Sequence, residues 1–377
     1  MSNTISGCLI VKNEEDFLEE CLQMLSEFVD EIVIVDNGSE DSSVDIAKRY
    51  GAKILSVPEA NHDGGRNVYL ENASCDWILT LDADERIFPQ DGKKLKKELS
   101  KISNGVAGLI LPRYEYIGQG EWACARLCRV YRNLKKIRYN NSNVHASVVK
   151  ETKQCGEIIK SDIAIHHLDI LKPQRASQKR KRNIKRIKTE IEQAIYEQVE
   201  YNPYLHCFLG LEYAALGDYE QAEKEYGKVV FHPDSEVVSL ALTFLMQNCM
   251  LQKDYNRAEL YAKRLLQMRD VHEVQALFTL MQLSDISGKL EEAIAICHKL
   301  ISVEPYLAHW YLDLATLYIK KNAITEAKKS WDKAVQLNPY INESLIYKEG
   351  DKPNIFLQQT VFLQDYYICI KKFKNKD

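Results

Sequence analysis

The stretch ILTLDADERI, residues 78–87, places two carboxylates, Asp82 and Asp84, directly behind the apolar run Ile78, Leu79 and Leu81. Alone, a D-x-D is most simply a strand running out into solvent. Two further clusters follow apolar runs in the same way: Lys12, Asn13 and Glu14 after GCLIV (7–11), and Asp36 to Ser39 after EIVIVD (31–36). In open α/β sheets ligands bind beyond the carboxyl ends of the strands, so the three clusters would converge on one edge. Carboxylates gathered there repel one another, and a cation between them relieves the repulsion. With oxygen ligands that cation is hard, Mg2+ or Mn2+ rather than zinc, and such ions accompany phosphate-bearing substrates.

The elements that would position these groups are legible from periodicity. GCLIV and EIVIVD are short β-branched runs of the buried parallel type. Between them Phe17, Leu18, Cys21, Leu22 and Leu25 recur at three and four, a helix over 15–28 with one buried stripe. The polar turn 37–42 opens a helix over 44–50, closed by Gly51. A strand at 52–57, a helix at 66–73 and a strand at 77–81 follow. Strand and helix alternating at this pace predict a parallel, doubly wound sheet. No G-x-G-x-x-G follows the first strand, so the dinucleotide fingerprint of an oxidoreductase is missing.

A chain of 377 residues is too long for one ordinary core. From about residue 202 the pattern turns to helices alone, and Ala222, Ala258, Ala293 and Ala327 recur at spacings near 35, with Pro305 and Pro339 after second helices. That period is the tetratricopeptide pattern, four repeats with the second the loosest, stacked as an all-α solenoid. Between the halves, residues 172–188 hold nine Lys or Arg and no acid. This segment reads as a solvated linker helix, as a closure over a diphosphate, or as a face for an acidic acceptor or membrane surface. The boundaries expected are 1–171, 172–201, 202–340 and a capping or dimerising segment 341–377. Net charge is only −4, so nucleic acid is not an expected partner. Ten scattered cysteines without C-x-x-C suit free thiols of a reducing compartment, and no uncharged run approaches a membrane span. A cytoplasmic location is expected.

The blocks LIVKNEEDFLEECLQ, IVIVDNGSEDSSVDIAKRYGAKI and GGRNVYLENASCDWILTLDADE resemble, in order and spacing, the opening of family 2 glycosyltransferases. The resemblance covers about the first 90 residues. It implies a Rossmann-like, mostly parallel GT-A fold and a sugar-nucleotide donor, a UDP-sugar. Residue by residue, it implies that Asp36 reads the nucleoside base and that Arg66 and Asn67 lie close to the nucleotide. Asp82 would lie near the ribose and metal, and Asp84 on the metal that bridges the diphosphate. His167, in DIAIHHLDI, would be a third metal ligand and tilts the choice toward Mn2+, whereas His166 is expected as a strand-end surface histidine. Arg126, Leu127, Arg129, Tyr131 and Arg132 match the family's R-L-x-R-x-Y segment. A glutamate that relatives carry after a histidine is absent: this chain reads His145-Ala146. The base of an inverting transfer would then be His145, Glu121 or Glu115, or the acceptor would scarcely need one, a thiol with a pKa near ~8.5 being such an acceptor.

The layout, a family 2 domain followed directly by tetratricopeptide repeats, resembles the S-glycosyltransferases of glycocin biosynthesis. A peptide or protein acceptor held by the repeats is therefore expected, with a homodimer as an option. The alternatives are transfer to a cell-surface glycan or lipid-linked sugar, and an inactive nucleotide-binding scaffold that works through its repeats.

Overall fold

The computed structural model describes residues 3–58, 62–118, 121–139, 147–168, 176–268, 272–342, 369 and 372–373, with backbone alone at 62–64, 116–118, 121–123, 176–179, 340 and 342. The chain divides into two compact units, Met1–Glu115 with Ala125–Asp169, and Tyr116–Cys124 with Ile170–Asp377.

In the first unit the order is β1 (Ile5–Val11), α1 (Glu15–Ser26), β2 (Glu31–Asp36), α2 (Ser43–Arg49), β3 (Lys53–Ser56), α3 (His62–Asn72), β4 (Trp77–Thr80) and β5 (Glu85–Arg86). Then come α4 (Pro89–Leu99), β6 (Val106–Gly118), β7 (Glu121–Arg132), α5 (Val149–Cys155), β8 (Glu157–Lys160) and β9 (Ile165–His167). One nine-stranded sheet runs β3-β2-β1-β4-β7-β6-β9-β5, with β8 on β6. The predicted parallel pairing holds across β3, β2, β1 and β4. It stops there, because β7 joins β4 antiparallel with Leu79 opposite Val130, and β5 joins β9 antiparallel. The sheet is therefore mixed; local periodicity is blind to a strand that returns from far along the chain to insert beside β4.

The stripe read on α1 is the face that packs: Phe17, Leu18, Cys21, Leu22 and Leu25 are all buried against the sheet core. Gly7 is needed under it, since a Cβ there would lie 2.8 Å from the Leu25 side chain.

The second unit holds α6 (Ala176–Tyr196), α7 (Tyr204–Ala215), α8 (Tyr219–Gly227), α9 (Ser235–Leu251) and α10 (Tyr255–Met268), then α11 (Glu273–Ile286), α12 (Leu290–Val303), α13 (Ala308–Lys320) and α14 (Ile324–Leu337). The last eight form four antiparallel pairs whose second helices carry Ala222, Ala258, Ala293 and Ala327, each fully buried. Larger side chains there would hold the helices apart. Each first helix is followed, one residue past its C-cap, by a residue in the left-handed region, Gly217, Lys253, Gly288 and Asn322, which turns the chain into its partner.

Helix α6 is not a free linker. Ile187 and Ile191 are buried, and Arg180 and Asn183 reach the fully buried Glu212 of α7 at 3.0 and 2.8 Å. The basic run keeps one face for packing and one for solvent. Of the terminal segment, Cys369 is buried with its Sγ 3.3 Å from the Thr316 hydroxyl, and the Phe373 ring lies 6.0 Å from that of Trp331. The rest of the stretch 356–370 lies outside the described residues. Among the described residues no helix is long and apolar enough to cross a membrane.

Candidate active site

The tip of β4 is held by a residue whose sequence gave no warning of its role. Arg86, 1% exposed, donates to the carbonyls of Ala83 (2.7 Å), Glu85 (2.9 Å) and Phe17 (2.7 Å), and to the Glu20 carboxylate at 3.3 Å. These bonds tie the DADE turn to α1. Backbone bonds between Asp82 and Glu85, and from Leu168 N to Asp84 O at 2.9 Å, complete the clamp. The carboxylates at the strand end are thus set on a turn held by buried bonds, with the Asp82 side chain still 43% exposed.

Register decides what they face. Antiparallel to β4, β7 brings Arg129 alongside Thr80, so its guanidinium reaches forward to the turn. Arg129 Nη2 lies 3.0 Å from Asp82 Oδ2 and 2.7 Å from Glu85 Oε1. Arg113 on β6 meets the same Glu85 oxygen at 2.8 Å and also pairs with Glu115. Glu85, with no exposed surface, is thereby shared by two guanidiniums. Arg66 on α3 approaches Asp82 Oδ1 at 3.9 Å with its guanidinium over the Tyr139 ring, 5.1 Å from the centroid. Leaving water raises the Asp82 pKa, but Arg129, Arg66 and Arg113 outweigh that and hold its carboxyl well below the usual range.

The second cluster lies one strand pairing away. Glu85 opposes His167 across β5 and β9, and Glu115 opposes His167 across β6 and β9. His167 stands between two carboxylates, Nε2 3.5 Å from Asp84 Oδ1 and Nδ1 3.6 Å from Glu115 Oε2. Desolvation and Arg113 push its pKa down, but the bonds to Asp84 and Glu115 win and push it up to about 10. Burial raises the Glu115 pKa, yet Arg113 and His167 bring it far below the ordinary value, so Glu115 is an ionised partner in this arrangement. His166 departs from the surface role expected of it. It is 1% exposed, packed 4.9 Å from the Phe88 ring and 5.6 Å from that of Tyr114, and burial drops its pKa to about 3.

Asp36 ends β2, 6% exposed, and accepts from Gly38 N at 3.2 Å and Ser39 N at 3.1 Å. Gly38 has φ +84°, the left-handed geometry that lets the loop fold back onto that carboxylate. Asn67 uses both ends of its amide on Tyr139, donating to its carbonyl at 3.1 Å and accepting from its N–H at 2.9 Å. It fixes the residue on which Arg66 lies. His145 and Ala146 lie outside the described residues, and Glu121 is described only as backbone in β7. The structure therefore brings together Asp82, Asp84, Arg66 and His167. It adds Glu85, Arg113 and Arg129, which the sequence reading left without a role; the two-residue spacing of Arg113 and Glu115 on one strand face was the available signal.

The donors fit a hard divalent ion. Asp84 and His167 offer an oxygen and an imidazole nitrogen side by side, and Mg2+ or Mn2+ characteristically takes one or two carboxylates and leaves positions to water and substrate phosphates. Among the described residues no group of three His, Cys, Asp or Glu is disposed to enclose an ion by itself.

With this geometry in hand, residues 6–149 match the sequence model described as glycosyl transferase family 2, and residues 203–230 and 308–341 match that of the tetratricopeptide repeat. Residues 6–149 are a family 2 glycosyltransferase domain. In the glycosyltransferase domain's mixed, GT-A-like sheet the aspartates of the D-x-D sit at the end of a central strand, and the repeats follow it in the same chain. A tetratricopeptide repeat-containing protein of Synechococcus elongatus is 35% identical over 136 residues, 36% of this chain and 33% of that protein. The lipopolysaccharide core biosynthesis glycosyltransferase LpsC of Rhizobium meliloti is 31% identical over 159 residues, 39% of this chain and 57% of that protein. The SPbeta prophage-derived glycosyltransferase SunS of Bacillus subtilis is 30% identical over 97 residues, 25% of this chain and 23% of that protein. The chain spans about a third of the length of the first curated relatives it matches. Among solved structures, glucosyl-3-phosphoglycerate synthase from Mycobacterium tuberculosis is 25% identical over 29% of this chain and 44% of that one, with a TM-score of 0.26.

Proposed function

We propose that the protein is a metal-dependent inverting glycosyltransferase that moves a hexose from a UDP-sugar to a side chain of a peptide or protein, a cysteine thiol included. The observation that carries the reading is the pairing of Asp84 with His167 beside Asp82 and its arginines, at the strand ends of a family 2 domain. Asp84 and His167 would hold Mn2+ or Mg2+, His167 giving up its proton to do so. The ion, when bound, supplies charge neutralisation for the leaving diphosphate.

The chain's own residues do the rest. Asp36 receives the nucleoside base, and Arg66 faces the nucleotide from α3, steadied by Tyr139. Asp82, kept ionised by Arg129, accepts from the ribose. Glu115 is committed to Arg113 and His167, which disfavours it as the base. His145 and Glu121 are the remaining candidates, and a thiol acceptor asks least of either. The solenoid supplies the acceptor-binding surface, as stacked repeats characteristically do.

Incubation with UDP-glucose, UDP-GlcNAc or UDP-galactose and Mn2+, with and without chelator, tests this by UDP release. Metal-dependent release is expected; no release together with no donor binding by calorimetry defeats the reading. A second acceptor class, a cell-surface glycan or lipid-linked sugar, is favoured by the similarity to LpsC, which the match covers more fully than it covers SunS. Transfer to a saccharide and none to cysteine peptides would select it.

A further inference from the structure

Helix α6 presents to solvent a set of cations that the catalytic reading leaves unused. Lys181, Arg182, Lys185 and Arg186 are all exposed, two pairs at i and i+4 on adjacent rows of the helix. Their neighbours Arg180 and Lys188 are engaged, the first with Glu212 and the second over the Tyr213 ring at 5.4 Å. Among the described residues none of the four has a carboxylate within ion-pair distance. Like charges at that spacing cost helix stability, and the buried bonds of Arg180 and Asn183 to Glu212 on the opposite face are what hold the helix in place.

We propose that this face of α6 docks the protein on an anionic lipid surface. Four Lys and Arg on the outer face of a helix match the short polybasic signature read by acidic headgroups. At the other end of the helix Ile195 and Tyr196 stand 61% and 88% exposed, groups of the kind that settle at a headgroup boundary. The patch spans only about 8 Å along the helix axis before Glu192 and Glu197 reverse its sign. That is too short for the run of phosphate contacts a nucleic-acid binder uses. The cations also stand on a convex helix face, without the apolar socket that anchors a peptide partner.

The test is sedimentation of the full chain with vesicles of phosphatidylcholine alone or of equal parts phosphatidylcholine and phosphatidylglycerol. Binding is expected to the anionic vesicles only, and to weaken with added salt. The combined variant Lys181→Gln, Arg182→Gln, Lys185→Gln and Arg186→Gln loses on the order of a thousandfold in partition, with an unchanged circular dichroism spectrum because no buried contact is touched. Equal binding to both vesicles, no binding to either, or full retention by the variant overturns the proposal. So does binding of poly-glutamate or duplex DNA without vesicle binding. Salt dependence of the unaltered chain provides a second readout that does not rely on the variant folding.

Discussion

Arg129 Nη2 bridges two carboxylates of one turn, lying 3.0 Å from Asp82 and 2.7 Å from Glu85. One of these, Glu85, has no access to water, and the guanidinium itself is 7% exposed. Glu85 keeps Arg113 at 2.8 Å when Arg129 is removed, so what is lost is one charged hydrogen-bonding partner rather than all compensation. Arg129→Met is therefore expected to lower the unfolding free energy by about 1.5–3 kcal/mol, read by urea denaturation. Arg129→Lys should recover only part of it, since an ammonium is more strongly hydrated and sits on a flexible stem without the rigid donor fork of the guanidinium. An unfolding midpoint unchanged in Arg129→Met would show that the bridge is not structural.

Asn67 was expected beside the nucleotide, and its amide is bound at both ends to Tyr139. Two net hydrogen bonds put the cost of Asn67→Ala at about 1–3 kcal/mol. Because Tyr139 underlies Arg66, the variant should also weaken donor affinity, and Tyr139→Leu should weaken it in the same direction. Donor calorimetry on both variants checks this. Weakened donor binding by Asn67→Ala without loss of stability would instead make Asn67 a direct contact.

The four repeat turns differ at one point that matters for stability. Lys253 has φ +60° where Gly217 and Gly288 occupy equivalent turns. A non-glycine residue in that region costs about 1–2 kcal/mol. Lys253→Gly should therefore stabilise the helical unit by about 1 kcal/mol, less the backbone entropy that glycine returns to the unfolded chain. A thermal scan with no gain would refute the strain.

Much of this was legible in the residues. The α1 stripe, the first four strands and the 34 to 36 residue rhythm of the repeats are local patterns, and local patterns survive in sequence. The position of β7 beside β4 and the inversion of β5 against β9 are long-range pairings, and they create the Glu85, Arg113 and Arg129 network. Nothing short of the sheet order brings those three together. His166 escaped for a related reason: a histidine next to a site residue reads as exposed until the rings of Phe88 and Tyr114 are seen to enclose it. The basic run showed its charge but not its phase, and only the burial of Ile187 and Ile191, with Arg180 and Asn183 on Glu212, separates its structural face from its solvent face.

The repeats and the catalytic domain should be separable in activity. A variant in which the chain ends at residue 201 keeps the whole family 2 match but removes the stacked helices. Donor binding by calorimetry is expected to survive, and transfer to a peptide acceptor to be lost. Full peptide transfer by the shortened chain would remove the acceptor role from the repeats.

The central claim is that Asp84, with His167, holds the ion on which departure of the nucleoside diphosphate depends. Its most direct test is the rate of UDP release from a UDP-sugar with Mn2+ by the unaltered chain and by Asp84→Ala, with folding of both verified. Loss of one oxyanion-stabilising group is worth on the order of a hundredfold or more in rate, so near-total loss of metal-dependent release is expected in the variant. The same rate in both proteins, equally sensitive to chelator, would contradict the assignment.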